Sequence, residues 1–213
     1  MVALSGNINN AMDDLPLVAI LRGITPAEVP AVADELIEAG FRLIEVPLNS
    51  PEPFKSIMQL VAHCPSQVLV GAGTVLHCDD VDRLADTGAQ LMVTPNTDTA
   101  VVSRAAELGL ISAIGCFTPS EAFSALSHGA SMLKVFPAGR LAPAYAADIK
   151  AVLPPATRVL AVGGIAQDDM AAFIKGGYDG FGLGSGLYVP GRPAAEVGQR
   201  ARDYVAAFRA ART

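Results

Sequence analysis

Eight short apolar runs, each followed by a stretch of helical period, constrain this chain more than any single residue does. The runs are Leu17 to Arg22, Phe41 to Val46, Gln67 to Gly71, Gln90 to Thr94, Ile111 to Gly115, Ser131 to Phe136, Arg158 to Val162 and Gly180 to Leu183. Helices are predicted over Pro26 to Ala39, Pro53 to His63, Asp79 to Thr87, Thr97 to Leu108, Ser120 to His128, Pro143 to Val152, Gln167 to Lys175 and Ala194 to Ala211. Many of these segments open on Thr-Pro, Asp or Ser and close on Gly, the usual start and stop chemistry of helices. Strict alternation of this kind implies parallel strands joined by right-handed crossovers, and eight such units close into a (β/α)8 TIM barrel, an α/β fold. An open doubly wound sheet would place Gly-x-Gly-x-x-Gly after the first strand, and Arg22-Gly23-Ile24-Thr25-Pro26 does not supply it. Residues 1–213 read as a single barrel domain, with 1–15 forming an N-terminal segment in which Ile8 to Leu15 make a short helix.

The sixth run contains the residue that carries chemistry. Met132-Leu133-Lys134-Val135-Phe136-Pro137 sets an ammonium in the middle of a core strand, whereas Lys55, Lys150 and Lys175 fall among polar residues on helices. Burial disfavours the charged form of an amine, so its pKa drops from about 10.4 and a neutral, nucleophilic fraction appears near neutral pH. A lysine of that kind can form a Schiff base. A structural lysine whose stem packs while its head reaches water or a carboxylate is the other reading of the same stretch.

In a barrel the reactive groups sit at the C-terminal ends of the strands. Strand one ends Leu21-Arg22-Gly23, strand two Ile44-Glu45-Val46-Pro47, strand three Gly71-Ala72-Gly73-Thr74 and strand four Val93-Thr94-Pro95-Asn96. Arg22, Glu45 and Lys134 are therefore expected in one mouth, lined otherwise by Ile20, Leu43, Met132 and Phe136. Arg22 and Glu45 could instead form a structural ion pair, and the Thr74 and Thr94 hydroxyls could be spent on their own turns. The coincidence of amine, carboxylate and guanidinium at three strand ends favours a site. Strands seven and eight end in Val162-Gly163-Gly164-Ile165 and Gly182-Leu183-Gly184-Ser185-Gly186. Glycines there bring backbone N–H groups close to an anion, at the position where this fold recurrently binds phosphate.

Composition narrows the partners. A net charge of -6 with no basic cluster disfavours nucleic acid. Apolar runs fall far short of the roughly 20 residues that span a membrane, and residues 1–10 lack the features of a secretory signal, so a cytoplasmic protein is expected. Cys64, Cys78 and Cys116 are spaced unlike a disulfide framework, and with His63, His77 and His128 they suggest no metal site.

Taken together, Ile20-Leu21-Arg22-Gly23, Ile44-Glu45-Val46, Gly71-Ala72-Gly73-Thr74-Val75, Val93-Thr94-Pro95, Leu133-Lys134-Val135-Phe136-Pro137 and Gly163-Gly164-Ile165 resemble, in order, the signature segments of the class I 2-keto-3-deoxy-6-phosphogluconate and -galactonate aldolases. The chain looks like the galactonate branch, because Asn49 in Pro47-Leu48-Asn49-Ser50-Pro51 replaces an arginine of the gluconate branch and Val162 replaces a common threonine. The resemblance implies cleavage of a phosphorylated 2-keto-3-deoxy sugar acid to pyruvate and glyceraldehyde 3-phosphate, with no cofactor and no metal. It assigns Lys134 as the Schiff-base nucleophile and Glu45 as the proton relay. Arg22 and Thr74 would hold the substrate carboxylate, Thr94 and Pro95 would line the pyruvate pocket, Val162 would lie near the C4 hydroxyl, and Gly163, Gly164, Gly184 and Ser185 would receive the phosphate. It also implies a homotrimer. Action on the C4 epimer, or on both epimers, is the alternative within the family. Outside it stand a metal-dependent phosphosugar epimerase, which wants histidines and aspartates at several strand ends, and a barrel that binds a sugar phosphate without lyase activity.

Overall fold

A computed structural model describes Ile8 and residues 11–212. Its eight strands are β1 (Leu17–Ile20), β2 (Leu43–Pro47), β3 (Leu69–Gly73), β4 (Leu91–Val93), β5 (Ile111–Cys116), β6 (Met132–Val135), β7 (Val159–Val162) and β8 (Gly180–Leu183). They are all parallel and close into a barrel in which β8 pairs with β1. The alternating helices are α1 (Val29–Glu38), α2 (Pro53–His63), α3 (Cys78–Asp86), α4 (Thr99–Glu107), α5 (Pro119–Ser127), α6 (Tyr145–Lys150), α7 (Met170–Lys175) and α8 (Ala194–Ala211).

Local chemistry accounts for the helix limits. Asp98 caps α4 by accepting from the Ala100 and Val101 N–H groups at 2.9 and 3.3 Å. Thr118 and Glu121 form a reciprocal capping box on α5. After α4 the chain reverses at Gly109, φ 72°, where an added Cβ would touch nothing; only the backbone conformation calls for glycine there. The predicted Pro26 start of α1 moves to Val29, because Glu28 folds back to accept from the Thr25 N–H and hydroxyl and holds Pro26 to Glu28 as a turn. The segment expected over Pro143 to Val152 contracts to α6, and Gln167 to Asp169 form a 3-10 turn ahead of α7.

Side chains alternate along each strand and build two apolar layers. Residues such as Leu17, Ile44, Val46, Leu133 and Val135 point outwards and pack with the helices in one continuous core. Val18, Ile20, Leu43, Leu69, Leu91, Ile111, Met132 and Leu160 point inwards and fill the barrel. Residues 11–14 are helical, and Ala11 and Met12 are buried in this inner cluster, so the segment ahead of β1 closes the barrel floor. The rest of the expected segment 1–15, apart from Ile8 and the described residues 11–15, lies outside the described residues. Among the described residues no helix is long and apolar enough to cross a membrane.

The floor is thus a plug of few side chains on which the inner layer rests. Met12→Ala is expected to cost about 2–5 kcal/mol, the range for emptying a buried methionine site, and to lower the urea midpoint without changing the slope. A change within ~0.5 kcal/mol of wild type in equilibrium unfolding would show that the plug carries no such load.

Candidate active site

With the lower barrel filled by aliphatic groups, the inward positions one step nearer the C-terminal end carry polar side chains. Glu45 follows Leu43 on β2 and Lys134 follows Met132 on β6, both on the inner face and only 2% and 6% exposed. Glycine takes the matching inner positions on neighbouring strands, with Gly71 paired to Glu45 and Gly115 paired to Lys134. Gly73 is what lets the carboxylate exist: a Cβ there would lie 1.9 Å from Glu45 Oε2. At Gly115 and Gly71, by contrast, an added Cβ would meet the backbone of Pro95 and Leu91, so these glycines allow neighbouring strands to approach.

Above them opens a cavity of about 590 Å³ whose wall includes Ile20, Arg22, Glu45, Thr74, Pro95 and Lys134. Glu45 Oε2 is buried with no protein hydrogen-bond partner, and the Lys134 ammonium lies 4.9 Å from the centre of the Phe136 ring. Burial dominates both titrations. It pushes the Glu45 carboxyl up to about 7, although the charges of Lys134 and Arg22 pull the other way. It also pulls the Lys134 amine below the ordinary lysine range; Glu45 opposes this and Arg22 reinforces it. Amine and carboxyl are driven towards neutrality together, the condition under which one can attack a carbonyl and the other can exchange protons near pH 7.

The rim is organised by Arg22. It stands beyond the end of β1, largely exposed, and pairs with neither Glu45 nor Asp; its guanidinium donates to Asn49 Oδ1 and, at 3.4 Å, to Thr74 Oγ1. Thr74 adopts φ 57°, a left-handed conformation unfavourable for a β-branched residue, at the point where β3 turns over the cavity. Of the expected mouth residues, Ile20 and Phe136 line the cavity, while Leu43 and Met132 lie deeper in the barrel.

Thr94 is placed differently from the expectation that it lines the pocket. Its side chain faces away from the barrel interior, buried to 1% exposure, where the hydroxyl donates to Asn96 O at 2.7 Å and accepts from Gly115 N–H at 3.0 Å. The physical reason is strand alternation: Leu91, Val93 and Pro95 take the inner positions of β4 and its extension, so Thr94 must point outwards. Pro95 is left as the β4 contribution to the wall.

At the other end the cavity is bounded by Val162, Gly163, Gly164, Gly184 and Ser185, as expected from the sequence. Gly163 and Gly164 have φ of 92° and 77°. The Leu187 and Tyr188 N–H groups donate to Gly184 O, and Arg192 Nη1 donates to the carbonyls of Ser185, Gly186 and Leu187 at 3.4, 3.5 and 2.8 Å. Because C=O and N–H point oppositely across a trans peptide, the Ser185 and Gly186 N–H groups are turned away from these partners. Tyr188, Val189, Pro190 and Tyr204 complete this end and were not legible as site residues in the sequence, since buried tyrosines on a helix or loop read as core. Glu28 ties the two sides together: Oε2 accepts from the Thr25 N–H and hydroxyl, and Oε1 from Tyr188 Oη at 3.1 Å and Gly191 N–H at 3.4 Å. Burial works against it, but these bonds hold its carboxyl below the usual value.

None of the histidines enters the cavity; His63, for example, sits on α2 against Asp34 at 2.6 Å. Among the described residues no group of three or more His, Cys, Asp or Glu is arranged to hold a metal ion.

The sequence model described as Aldolase: KDPG and KHG aldolase matches residues 8–188. The chain is 49% identical over 193 residues to the probable 2-dehydro-3-deoxy-6-phosphogalactonate aldolase of Rhizobium meliloti (strain 1021), covering 91% of each chain. It is 46% identical over 197 residues to the 2-dehydro-3-deoxy-6-phosphogalactonate aldolase of Escherichia coli (strain K12), covering 92% of this chain and 96% of that one. A 2-dehydro-3-deoxy-phosphogluconate aldolase of Treponema pallidum (strain Nichols) is 30% identical over 143 residues, 67% of this chain and 68% of that one. Among solved structures, a native KDPGal structure superposes with a TM-score of 0.91 at 46% identity over 92% of this chain and 96% of that one.

The buried carboxyl has a measurable consequence for stability. Glu45 binds its proton more tightly in the folded chain than at the usual 4.5, so its contribution is fully present below about pH 4.5 and is lost as pH rises to about 7. Glu45→Gln is therefore expected to melt above wild type at pH 8 and to lose most of that advantage at pH 5. Melting curves with the same difference at both values would contradict the assignment of a buried, titrating carboxyl.

Proposed function

The chain belongs to the KDPG and KHG aldolase family, and from that premise we propose that it is a class I lyase that cleaves 2-dehydro-3-deoxy-6-phosphogalactonate to pyruvate and glyceraldehyde 3-phosphate. The observation that carries this reading is a depressed lysine and an elevated carboxyl buried in one cavity. Neutral Lys134 Nζ adds to the C2 ketone, and loss of water from the carbinolamine leaves a protonated Schiff base that draws electrons from C3. Glu45, through a water, takes the proton of the C4 hydroxyl as the C3–C4 bond breaks, and glyceraldehyde 3-phosphate departs. The remaining enamine takes a proton at C3 by the same relay, and hydrolysis releases pyruvate and the free amine.

Binding follows from the two ends of the cavity. Arg22, aimed by Asn49 and seconded by Thr74, receives the C1 carboxylate through charge-assisted hydrogen bonds. Pro95 and Val162 pack on the carbon chain, and Gly163, Gly164, Gly184 and Ser185 present backbone to the phosphate. Fixing both termini places C4 at Glu45. Asn49 and Val162, with 46–49% identity to galactonate enzymes against 30% to the gluconate relative, support the galactonate epimer as substrate. We also assign a homotrimer acting in the cytoplasm. Support for assembly comes from 46% identity over 93% of this chain, with a TM-score of 0.91, to a chain of a protein cage designed by fusing symmetric oligomeric domains, and from Phe117 and Phe123 standing exposed here. Three free cysteines fit a reducing compartment.

Borohydride reduction in the presence of pyruvate is expected to fix a pyruvate adduct on Lys134, and Lys134→Ala to lose both the adduct and turnover by at least ~10³-fold. The unmodified chain should cleave the galactonate substrate with higher kcat/KM than its C4 epimer. A folded protein that labels on no lysine would end the Schiff-base assignment, and a preference for the gluconate epimer would move the chain to the other branch.

A further inference from the structure

Tyr204 has a place in the cavity that none of the mechanism above uses. It sits on α8, 4% exposed, with its ring in the outer core, yet it forms part of the cavity wall beside Ser185 and Gly186. Among the described residues its hydroxyl has no protein hydrogen-bond partner; those of Tyr145 and Tyr188 donate to Phe117 O and to Glu28, and that of Tyr178, unpaired as well, lies away from the cavity. Buried tyrosine hydroxyls ordinarily find a partner. This one is instead accommodated by a gap in the neighbouring chain: a Cβ on Gly186 would lie 2.2 Å from Tyr204 Oη and 3.3 Å from Cζ. The glycine of the β8 loop and the tyrosine of α8 are sterically matched.

The charges around the hydroxyl define what it can meet. Arg192 and Arg200 both pair with Glu196, at 3.2 and 3.0 Å, and each also donates through Nη1 to loop carbonyls, with Arg200 Nη1 reaching Gly186 O at 3.2 Å. Asp169, whose carboxylate accepts from Ala166 N–H, adds a further negative charge. Both guanidinium groups are thus engaged with Glu196 and with the backbone of the β8 loop. An anion at this end meets N–H and O–H dipoles, and the Tyr204 phenol, protonated at neutral pH like any tyrosine, is a donor whose pKa burial raises further against the charges of Arg200 and Arg192.

We propose that Tyr204 is a substrate-binding residue whose hydroxyl, seated over Gly186, donates a hydrogen bond to the phosphate and makes the site select phosphorylated substrates. The assignment rests on the aldolase reading for the identity of the substrate, but its ligand chemistry, a phosphate monoester or inorganic phosphate, can be tested apart from turnover.

Tyr204→Phe removes one oxygen and leaves the ring in place. A hydrogen bond to a charged group is worth about ten- to hundredfold in affinity, so the KM for the phosphorylated substrate should rise by that factor with kcat within about twofold, while cleavage of the unphosphorylated acid changes less than about twofold. Equilibrium titration with inorganic phosphate should show the same weakening. Gly186→Ala, which displaces the hydroxyl without removing it, should reproduce the loss, and circular dichroism with a melting curve checks that each variant is folded. The proposal is overturned if Tyr204→Phe binds phosphate and phosphorylated substrate as wild type does, if both substrates suffer alike, or if the wild-type chain binds no phosphate. Wild-type protein that binds phosphate in a Tyr204-dependent way yet cleaves nothing would leave this assignment standing and remove the aldolase reading instead.

Discussion

Removal of water from one amine and one carboxyl is the constraint on which the rest of the site depends. A barrel interior has room for such groups only where a neighbouring strand leaves space, and Gly73 leaves it for the Glu45 carboxyl, while Gly71 and Gly115 let the backbones of Leu91 and Pro95 approach the strands next to those that carry the pair. Below, a floor of Met12, Leu43, Leu69 and Ile111 keeps the two groups in low dielectric. Above, the cavity admits substrate. Desolvation wins over the mutual attraction of opposite charges in both cases, which is why the amine is depressed and the carboxyl elevated although each has the other nearby. Stability is given up at this level, as is common where a fold holds reactive groups.

Around that pair the loops act as two clamps. One is Arg22 with Asn49 and Thr74, joining the ends of β1, β2 and β3. The other is Glu28, which gathers the β1 loop through Thr25 and the β8 loop through Tyr188 and Gly191. The closing seam of the barrel, where β8 meets β1, is therefore braced at its top by a single carboxylate. Strain at Thr74 is consistent with a backbone held for the sake of the rim rather than for its own comfort.

Most of the architecture could be read from the order of apolar runs, because eight alternating units leave few topologies open. Elements set by local signals matched best: Pro53–His63 and Ala194–Ala211 were predicted with their observed limits, and Gly180–Leu183 likewise. Elements moved where a distant side chain intervened, as with Glu28 at the start of α1. The same division holds in the site. Lys134, Glu45 and the glycine loops announce themselves by residue type in an unusual setting. Thr94 was drawn towards the pocket by its place in the Val93-Thr94-Pro95 segment, and strand alternation turns it outwards. Tyr188 and Tyr204 gave no signal, since an aromatic on an amphipathic helix or loop is indistinguishable from core until its hydroxyl is located.

By itself the sequence determined the strand count, the parallel order and the level at which charged groups enter the barrel, because hydrophobic period and turn chemistry act over a few residues. Only the tertiary structure decided which of those groups share a cavity, which are spent on the backbone, and that Arg22 bonds to Asn49 and Thr74 rather than to Glu45. Those choices depend on strand register and on contacts between residues far apart along the chain, such as Gly186 against Tyr204 and Tyr188 against Glu28. Burial, and with it the titration of Lys134 and Glu45, is a property of that packing and not of the residues alone.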